Sequence, residues 1–383
     1  MKKILAMLLA LVMVLGLAAC GAPAAEAPAA SEAAYKVAMV TDYGDITDQS
    51  FNQTTYEACK AYAEANNVEF TYYKPAGDSD AERVAMIEKA VDEGYNVIVL
   101  PGFAFAAAIA TAAPQYPDVK FIALDVSEFD LTSAGLTAET MTNVYSAVYQ
   151  EELSGYMAGY AAVKLGYTKL GFLGGMAVPA VQKFGYGFVQ GADAAAKELN
   201  ITVDMNYIYG GLFYGTADIT AVMDTWYQGG TQVVFACGGG IYTSAVDAAK
   251  KVEGAKVIGV DVDQAGVIAN YAGDADTSLT VTSAMKGLYP TTVDTLTDVI
   301  NNGNWAKYAG KVATLGLVSG DDPTANYVQI PMESTQWSDT FTQDDYKAMV
   351  KAMFDGTIVV SGDVSAEPAV TNVNVDYQGQ IVG

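Results

Sequence analysis

Three aspartates, Asp42, Asp125 and Asp261, each close a short apolar run, and the stretch Asp48-Gln49-Ser50-Phe51-Asn52 follows the first of them. A carboxylate at such a position can accept two vicinal hydroxyl hydrogens through charge-assisted bonds. An amide such as Asn52 offers both a donor and an acceptor to the edge of a heterocycle. An aromatic ring such as Phe51 stacks on a flat base at about 1 to 3 kcal/mol per face. Phe184 and Phe213 follow later apolar runs, and either supplies a second ring, with Phe213 the preferred one. Gly238 opens a glycine triplet behind another run, and Lys286 stands in a lysine-poor stretch three residues after Ser283. Together these residue types suit a small, flat, hydroxylated solute. Each also has an ordinary role: Asp42, Asp48, Asp125, Asp261 and Asn52 as turn formers or helix caps, Phe51 as a buried hydrophobe, and Lys286 in a salt bridge between lobes.

Composition narrows the chemistry further. The 383 residues carry 20 Lys+Arg against 44 Asp+Glu, a formal charge of −24, so nucleic acid would meet repulsion rather than a cationic surface. There is no histidine, which removes Ser-His-Asp triads, imidazole bases and histidine-built zinc sites. Three scattered cysteines, Cys20, Cys59 and Cys237, form neither a disulfide framework nor a thiolate cluster. Cys59 and Cys237 are expected to have no nearby basic or histidine partner that would lower a thiol pKa, and read as small buried side chains. No metal or cofactor is called for. Sugar sites favour arginines, and the single one here, Arg83, lies on a predicted helix well away from the strand ends.

The first residues form an address. Lys2 and Lys3 precede the apolar run Ile4 to Leu17, which ends in Ala18-Ala19-Cys20-Gly21. The run is too short for a comfortable membrane span of about 20 residues, and small residues before a cysteine resemble a bacterial lipoprotein cleavage site. Residues 1–19 are therefore read as a signal peptide and Cys20 as the lipidated first residue. Residues 20–34, rich in alanine and without aromatic or β-branched residues, read as a flexible tether.

From Lys36 onward, short β-rich runs (KVAMVT, VEFTYY, NVIVLP, VKFIALD, KLGFLGG, ITVDMNYIY, QVVFACGG, KVIGVDVD) alternate with amphipathic stretches at 51–66, 79–94, 180–199 and 241–252. This alternation predicts parallel sheets covered on both faces. The length predicts two lobes, at about 150 residues per domain. Ligands of open α/β sheets bind beyond the carboxyl ends of the strands, where the aspartates and glycines above lie.

Residues 40–57 (VTDYGDITDQSFNQTTYE), 91–103 (VDEGYNVIVLPGF), 121–125 (FIALD), 171–188 (GFLGGMAVPAVQKFGYGF), 259–264 (GVDVDQ) and 282–286 (TSAMK) resemble, in order, the motifs of the basic membrane protein family of solute-binding lipoproteins, which includes purine nucleoside receptors. The resemblance spans residues 36 to 320. It implies a periplasmic-binding-protein type I fold, two doubly wound parallel-sheet lobes joined by crossover strands, that closes on a solute and delivers it to the permease and ATPase of an ABC importer. By the same resemblance Phe51 and Asn52 meet the base, Asp125 and Asp261 the ribose hydroxyls, and Lys286 the opposite side of the ligand. Two turns depart from the family pattern: Gly211-Leu212-Phe213-Tyr214-Gly215, where GSF is usual, and Gly238-Gly239-Gly240-Ile241, where GGTG is usual.

The expected lobes are 35–145 with 283–315, and 146–282 with 316–383, with crossovers near 143–148, 280–285 and 312–318. The protein is expected to be a monomer held to the extracytoplasmic face of the membrane by its lipid. Its solute is expected to be a purine nucleoside, with a sugar or a flavin as the alternative and a sensor role as the alternative to import. VTDYGDITD distantly resembles the calcium-holding loop of nucleoside hydrolases. Its aspartates lack the adjacent pair that such a loop needs, so catalysis is not expected.

Overall fold

The computed structural model of the protein describes residues 35–137, 139–273 and 277–382. The expected signal peptide, Cys20 and tether lie outside them. The apolar runs become strands β1 (Lys36–Val40), β2 (Glu69–Tyr73), β3 (Val97–Pro101), β4 (Lys120–Leu124) and β5 (Val144–Tyr149), then β6 (Lys169–Gly174), β7 (Val203–Tyr209), β8 (Val233–Cys237), β9 (Lys256–Asp261) and β10 (Thr280–Lys286). Three further strands complete the set: β11 (Lys311–Leu315), β12 (Val328–Gln329) and β13 (Val373–Gln380). They form two sheets, in the orders β11-β5-β4-β3-β1-β2 and β12-β10-β9-β8-β6-β7-β13. Every pairing is parallel except that of β10 with β12. Central strands such as β3 and β8 are buried at every residue, as expected of parallel strands covered on both faces.

Between the strands run α1 (Phe51–Asn66), α2 (Asp80–Asp92), α3 (Ala106–Ala112), α4 (Glu128–Ser133), α5 (Glu151–Lys164), α6 (Pro179–Leu199), α7 (Ala217–Gln228), α8 (Tyr242–Ala249), α9 (Ala265–Ala272), α10 (Leu288–Leu296) and α11 (Gln343–Phe354). Helix α1 buries Asn52, Thr55, Ala58, Cys59, Tyr62 and Ala63 at helical spacing, one stripe toward the core. It ends at Asn67, whose left-handed backbone (φ 53°) turns the chain out.

The chain changes lobe three times, and two of the expected boundaries move. Sequence reading places a crossover near 143–148, yet residues 144–149 all belong to β5 in the first sheet, and all of 280–286 belongs to β10 in the second. The ladders of β5 with β4 and of β10 with β9 hold these strands in place, so each sheet keeps residues expected in the other lobe. The connections are accordingly Gln150, Gly287 and Gly316. Gly287 donates to Tyr327 O (2.6 Å), and Tyr327 donates to Gly316 O (3.1 Å), which ties the second and third connections together.

Helices α5 and α6 lie against each other without intervening side chains. Gly155 and Gly159 on α5, and Gly187 and Gly191 on α6, each face the other helix so closely that a Cβ would overlap the backbone of Phe184, Phe188, Glu152 and Tyr156 respectively. The spacing of four repeats on both helices, so the seam is continuous. It begins at Glu151 and Phe184, which both border the interlobe cleft.

Gly191→Ala gains about 1 kcal/mol of helix propensity but meets rigid backbone, and overpacking of that kind costs about 1 to 3 kcal/mol. We expect the overlap to prevail, with a net destabilisation of up to about 2 kcal/mol, read as a lower urea midpoint with the m-value unchanged. A midpoint at or above that of the wild type would show that the seam can open freely.

Candidate functional site

All ten sequence-predicted site residues line one cavity of about 450 Å³ between the carboxyl ends of the two sheets. This lies within the ordinary range of small-molecule sites. Asp42, Asp48, Phe51, Asn52 and Asp125 come from the first lobe, and Phe184, Phe213, Gly238, Asp261 and Lys286 from the second. Asp125 (φ 60°) and Asp261 (φ 65°), directly after β4 and at the end of β9, both adopt the left-handed conformation. Aspartate tolerates that region better than most residues, and such backbone clusters at ligand sites.

At the floor of the cavity Lys286 is almost fully buried. Its ammonium is ion-paired with Asp125 and lies 3.6 Å from Glu151 Oε1 and 3.8 Å from Asp261 Oδ1. The rings of Phe51, Tyr149 and Phe184 stand 4.8, 5.5 and 5.6 Å away, close enough for cation–π attraction. Burial alone would lower the lysine, but the charges of Asp125, Asp261 and Glu151 outweigh it and hold the ammonium above its usual range. Burial raises Asp261, against the opposing pull of Lys286 and of the Ser50 hydroxyl. Glu151 is pushed by burial from the usual 4.5 up to about 8, with Lys286 and Lys183 only partly offsetting this.

Glu151 and Lys183 escaped the sequence reading. An acid in the first turn of a helix is common for reasons of the helix dipole alone, so nothing in its spacing marked Glu151. Lys183 lies one residue before Phe184 on α6. Its Nζ donates to Tyr149 O (3.0 Å) and stands 3.7 Å from Glu151 Oε2.

The first-lobe turn is built around Asn52. Asp42 Oδ1 accepts from the amides of Tyr43 (2.6 Å) and Gly44 (2.7 Å). Asp48 caps α1 by accepting from the amides of Ser50 (3.0 Å), Asn52 (2.9 Å) and Gln53 (3.0 Å). The ordinary turn and cap roles are therefore filled while both aspartates still border the cavity. Asn52 Nδ2 donates to both carboxylates, at 3.3 and 3.2 Å. Its Oδ1 is left buried without a protein partner. Burial raises the pKa of Asp42 and of Asp48, against the hydrogen bonds they accept.

Arg83 corrects the sequence reading. It is buried and lies 5.9 Å from the ring of Tyr43, directly behind the β1 turn, with ion pairs to Asp78 and Asp80. The packing of α2 against β1 brings it there, a tertiary contact that helical periodicity does not encode. Tyr43, also missed, reaches across the cleft: its hydroxyl donates to Met176 Sδ (3.4 Å), and its ring stands 6.5 Å from that of Phe213. Ser50 Oγ donates to Asp261 Oδ2 (2.5 Å) and Gln264 Nε2 to Gln49 O (3.1 Å). With these bonds the two lobes are closed over the cavity.

On the second-lobe side Phe213 rests on glycine. A Cβ on Gly175 would overlap its ring, and one on Gly238 (φ 155°) would press on it. Phe184, by contrast, is almost entirely buried, edge-on to Phe235. Cys59 and Cys237 are free and buried. Burial, reinforced by the charge of Asp261, keeps the Cys237 thiol well above its usual range, and Lys286, a basic neighbour that the sequence did not reveal, opposes this only in part. Among the described residues no group of three acidic, cysteine or histidine side chains is placed to hold a metal.

The raised Glu151 implies a sign for pH dependence. The folded protein binds this proton more tightly than the unfolded chain, so the contribution of Glu151 to stability is fullest below 4.5 and falls as pH rises to about 8. Asp42, Asp48 and Asp261 act in the same direction. Glu151→Gln should therefore lose less thermal stability than the wild type between pH 5 and about 8. Parallel melting profiles for the two proteins would contradict the assigned burial.

Residues 35–356 match the family described as Bmp, ABC transporter substrate-binding protein PnrA-like. The ABC transporter nucleoside-binding protein BmpA of Lactococcus lactis subsp. cremoris is 28% identical over 298 residues, covering 74% of this chain and 80% of that protein. Basic membrane protein A of Borreliella burgdorferi is 29% identical over 233 residues, covering 60% and 64%. Among solved structures, an ABC transporter solute-binding protein from Aeropyrum pernix K1 superposes with a TM-score of 0.65 at 21% identity, covering 86% of this chain and 88% of that one. A counterpart from Conexibacter woesei gives 0.64 at 22%, covering 86% and 99%. These two carry the two-lobed binding-protein fold. With a family match over nearly the whole described body and a closed cleft at the sheet ends, the chain belongs to the Bmp family of ABC-transporter substrate-binding proteins, which bind solutes and do not catalyse.

Proposed function

We propose that the protein captures a purine nucleoside in the interlobe cavity and hands it to an ABC importer. The observation that carries this reading is an excess of buried acceptors beside an aromatic wall. Asn52 Oδ1 and Asp125 Oδ1 have no protein hydrogen-bond partner, while Phe51 and Phe213 border the same space. Such a site rewards a ligand rich in N–H and O–H donors that also has a flat ring. In this reading Phe51 and Phe213 hold the base between them, Asn52 meets its edge, and Asp125 and Asp261 accept from the ribose hydroxyls beside Lys286. The nucleoside named for the Lactococcus relative points the same way. The acids around the cavity outnumber its lysines, which disfavours a phosphorylated ligand. Lipidation of Cys20 would keep the monomer beside its permease and ATPase, where an acidic body stands off an anionic bilayer.

Calorimetry of the body from Tyr35 with inosine, guanosine and adenosine tests the reading, against a sugar and a flavin. A nucleoside should bind with sub-micromolar affinity, about −8 kcal/mol or better. Binding of the sugar or flavin alone would overturn it. Asp125→Asn should weaken nucleosides by about 1.5 to 3 kcal/mol, the range for a charge-assisted hydrogen bond, and leave free bases nearly untouched. Phe51→Ala should weaken both by about 1 to 3 kcal/mol. Equal losses for base and nucleoside in the Asp125 variant would remove its ribose role.

A further inference from the structure

The family match ends at residue 356, and the chain beyond it forms an ordered strap. Leaving α11, the chain crosses α6: Gln190 Nε2 donates to Ser361 O, and Ser361 N donates to Gln190 Oε1, both at 2.9 Å. Further on, Asp193 Oδ1 accepts from the amides of Thr371 (2.8 Å) and Asn372 (2.6 Å). The strap then becomes β13, an additional strand on the edge of the second sheet, paired with β7 from Val373 opposite Val203 to Gln380 opposite Tyr209. The rings of Tyr207 and Tyr377 meet across this pair at 4.9 Å.

The pairing continues past the end of β7. Ile381 N donates to Tyr209 O (2.9 Å) and Val382 N to Gly210 O (3.1 Å). Those carbonyls open the turn 210–215 that carries Phe213 to the cavity. Gly211 has φ 85°, and a Cβ there would overlap Val382 O, so turn and strap approach each other only because this residue is glycine. On its inner side the same turn is held by Gly210 N to Gly174 O (2.7 Å), Gly211 N to Gly175 O (2.9 Å) and Gly240 N to Phe213 O (2.8 Å). This is one of the two turns whose sequence departs from the family pattern.

The geometry points to the C-terminal strap as an affinity-setting element: Ile381 and Val382 are positioning residues that hold the turn 210–215, and through it Phe213, without touching the ligand. The effect on affinity rests on the nucleoside reading above. The positioning does not, because it concerns only how firmly the turn is held. The contacts of Val382 with the turn are made by its backbone, so its N–H matters to the turn and its side chain does not.

The test compares wild type, a chain ending at Gln380, Val382→Pro and Val382→Ala. Inosine and hypoxanthine affinities are measured by calorimetry, and amide hydrogen exchange is followed across the second lobe. The shortened chain should bind both probes about tenfold more weakly, because a base-stacking ring has been loosened. Exchange at 210–215 should quicken at least tenfold while the α5–α6 seam keeps its protection. Val382→Pro should show a smaller loss of the same kind, about threefold, and Val382→Ala should match the wild type. Unchanged exchange at 210–215 in the shortened chain overturns the inference, as does loosening spread through the whole second lobe or an Ala variant as weak as the Pro variant. Should the wild type bind no inosine, the nucleoside reading falls. Hydrogen exchange then decides alone: loosening confined to the turn upholds the strap's role, and its absence removes it.

Discussion

A buried ammonium organises this cleft. Lys286 is the last residue of β10, and Glu151 is the first residue of α5, so each stands beside a point where the chain passes between lobes. Asp125 follows β4 in the first lobe, and Asp261 ends β9 in the second. Taking one such ion out of water costs several kcal/mol, and it is tolerated here because carboxylates from both lobes surround it at salt-bridge distance. The polarity of the cavity and the geometry of the connections are thereby one feature. Moving a lobe changes the distances from Lys286 to its carboxylates, and changing what those carboxylates bind changes the cost of moving a lobe.

The glycine seam gives this arrangement a rigid support. Glu151 and Glu152 begin α5, while Lys183 and Phe184 lie in the first turns of α6, and backbone contact between the two helices leaves little freedom in how these pairs face each other. A seam filled by larger side chains would separate the helices and carry Lys183 away from Tyr149 O and Glu151. The close packing is thus as much a determinant of the charge pattern as the charged residues themselves, since electrostatic energies at these separations change steeply with distance.

Much of this was legible in the chain because strand ends are legible. Apolar β-rich runs that stop at aspartate or glycine announce both a parallel strand and its cleft-facing end, and Asp125 and Asp261 lie at such ends, while Phe51 opens the helix that follows β1. Glu151 and Arg83 were not legible, because their importance comes from what a distant segment brings beside them: Lys286 across a crossover for one, Tyr43 behind a strand for the other. The lobe boundaries were displaced by a few residues for a related reason. VYSAVY and TVTSAMK have the composition of ordinary buried strands, and only the ladder partners show to which sheet each belongs. The strap lay beyond the family pattern altogether, and its role depends on Gly211, whose conformation no spacing rule specifies.

The polar balance of the cavity argues for a particular division of labour between protein and solute. Asn52 spends its donors on Asp42 and Asp48, Ser50 directs its hydroxyl to Asp261, and Lys286 is committed to carboxylates. Among what the wall has left are the acceptors Asn52 Oδ1 and Asp125 Oδ1, both buried without a hydrogen-bond partner. Leaving a buried acceptor unmet costs about 1 to 3 kcal/mol, so a ligand that donates to each recovers that penalty in addition to making its own bonds. A solute of equal size with acceptors in the same places would leave the penalty standing and add repulsion. Selectivity of this kind needs no extra contact from the protein, because discrimination arises from polar groups that the wrong ligand cannot satisfy.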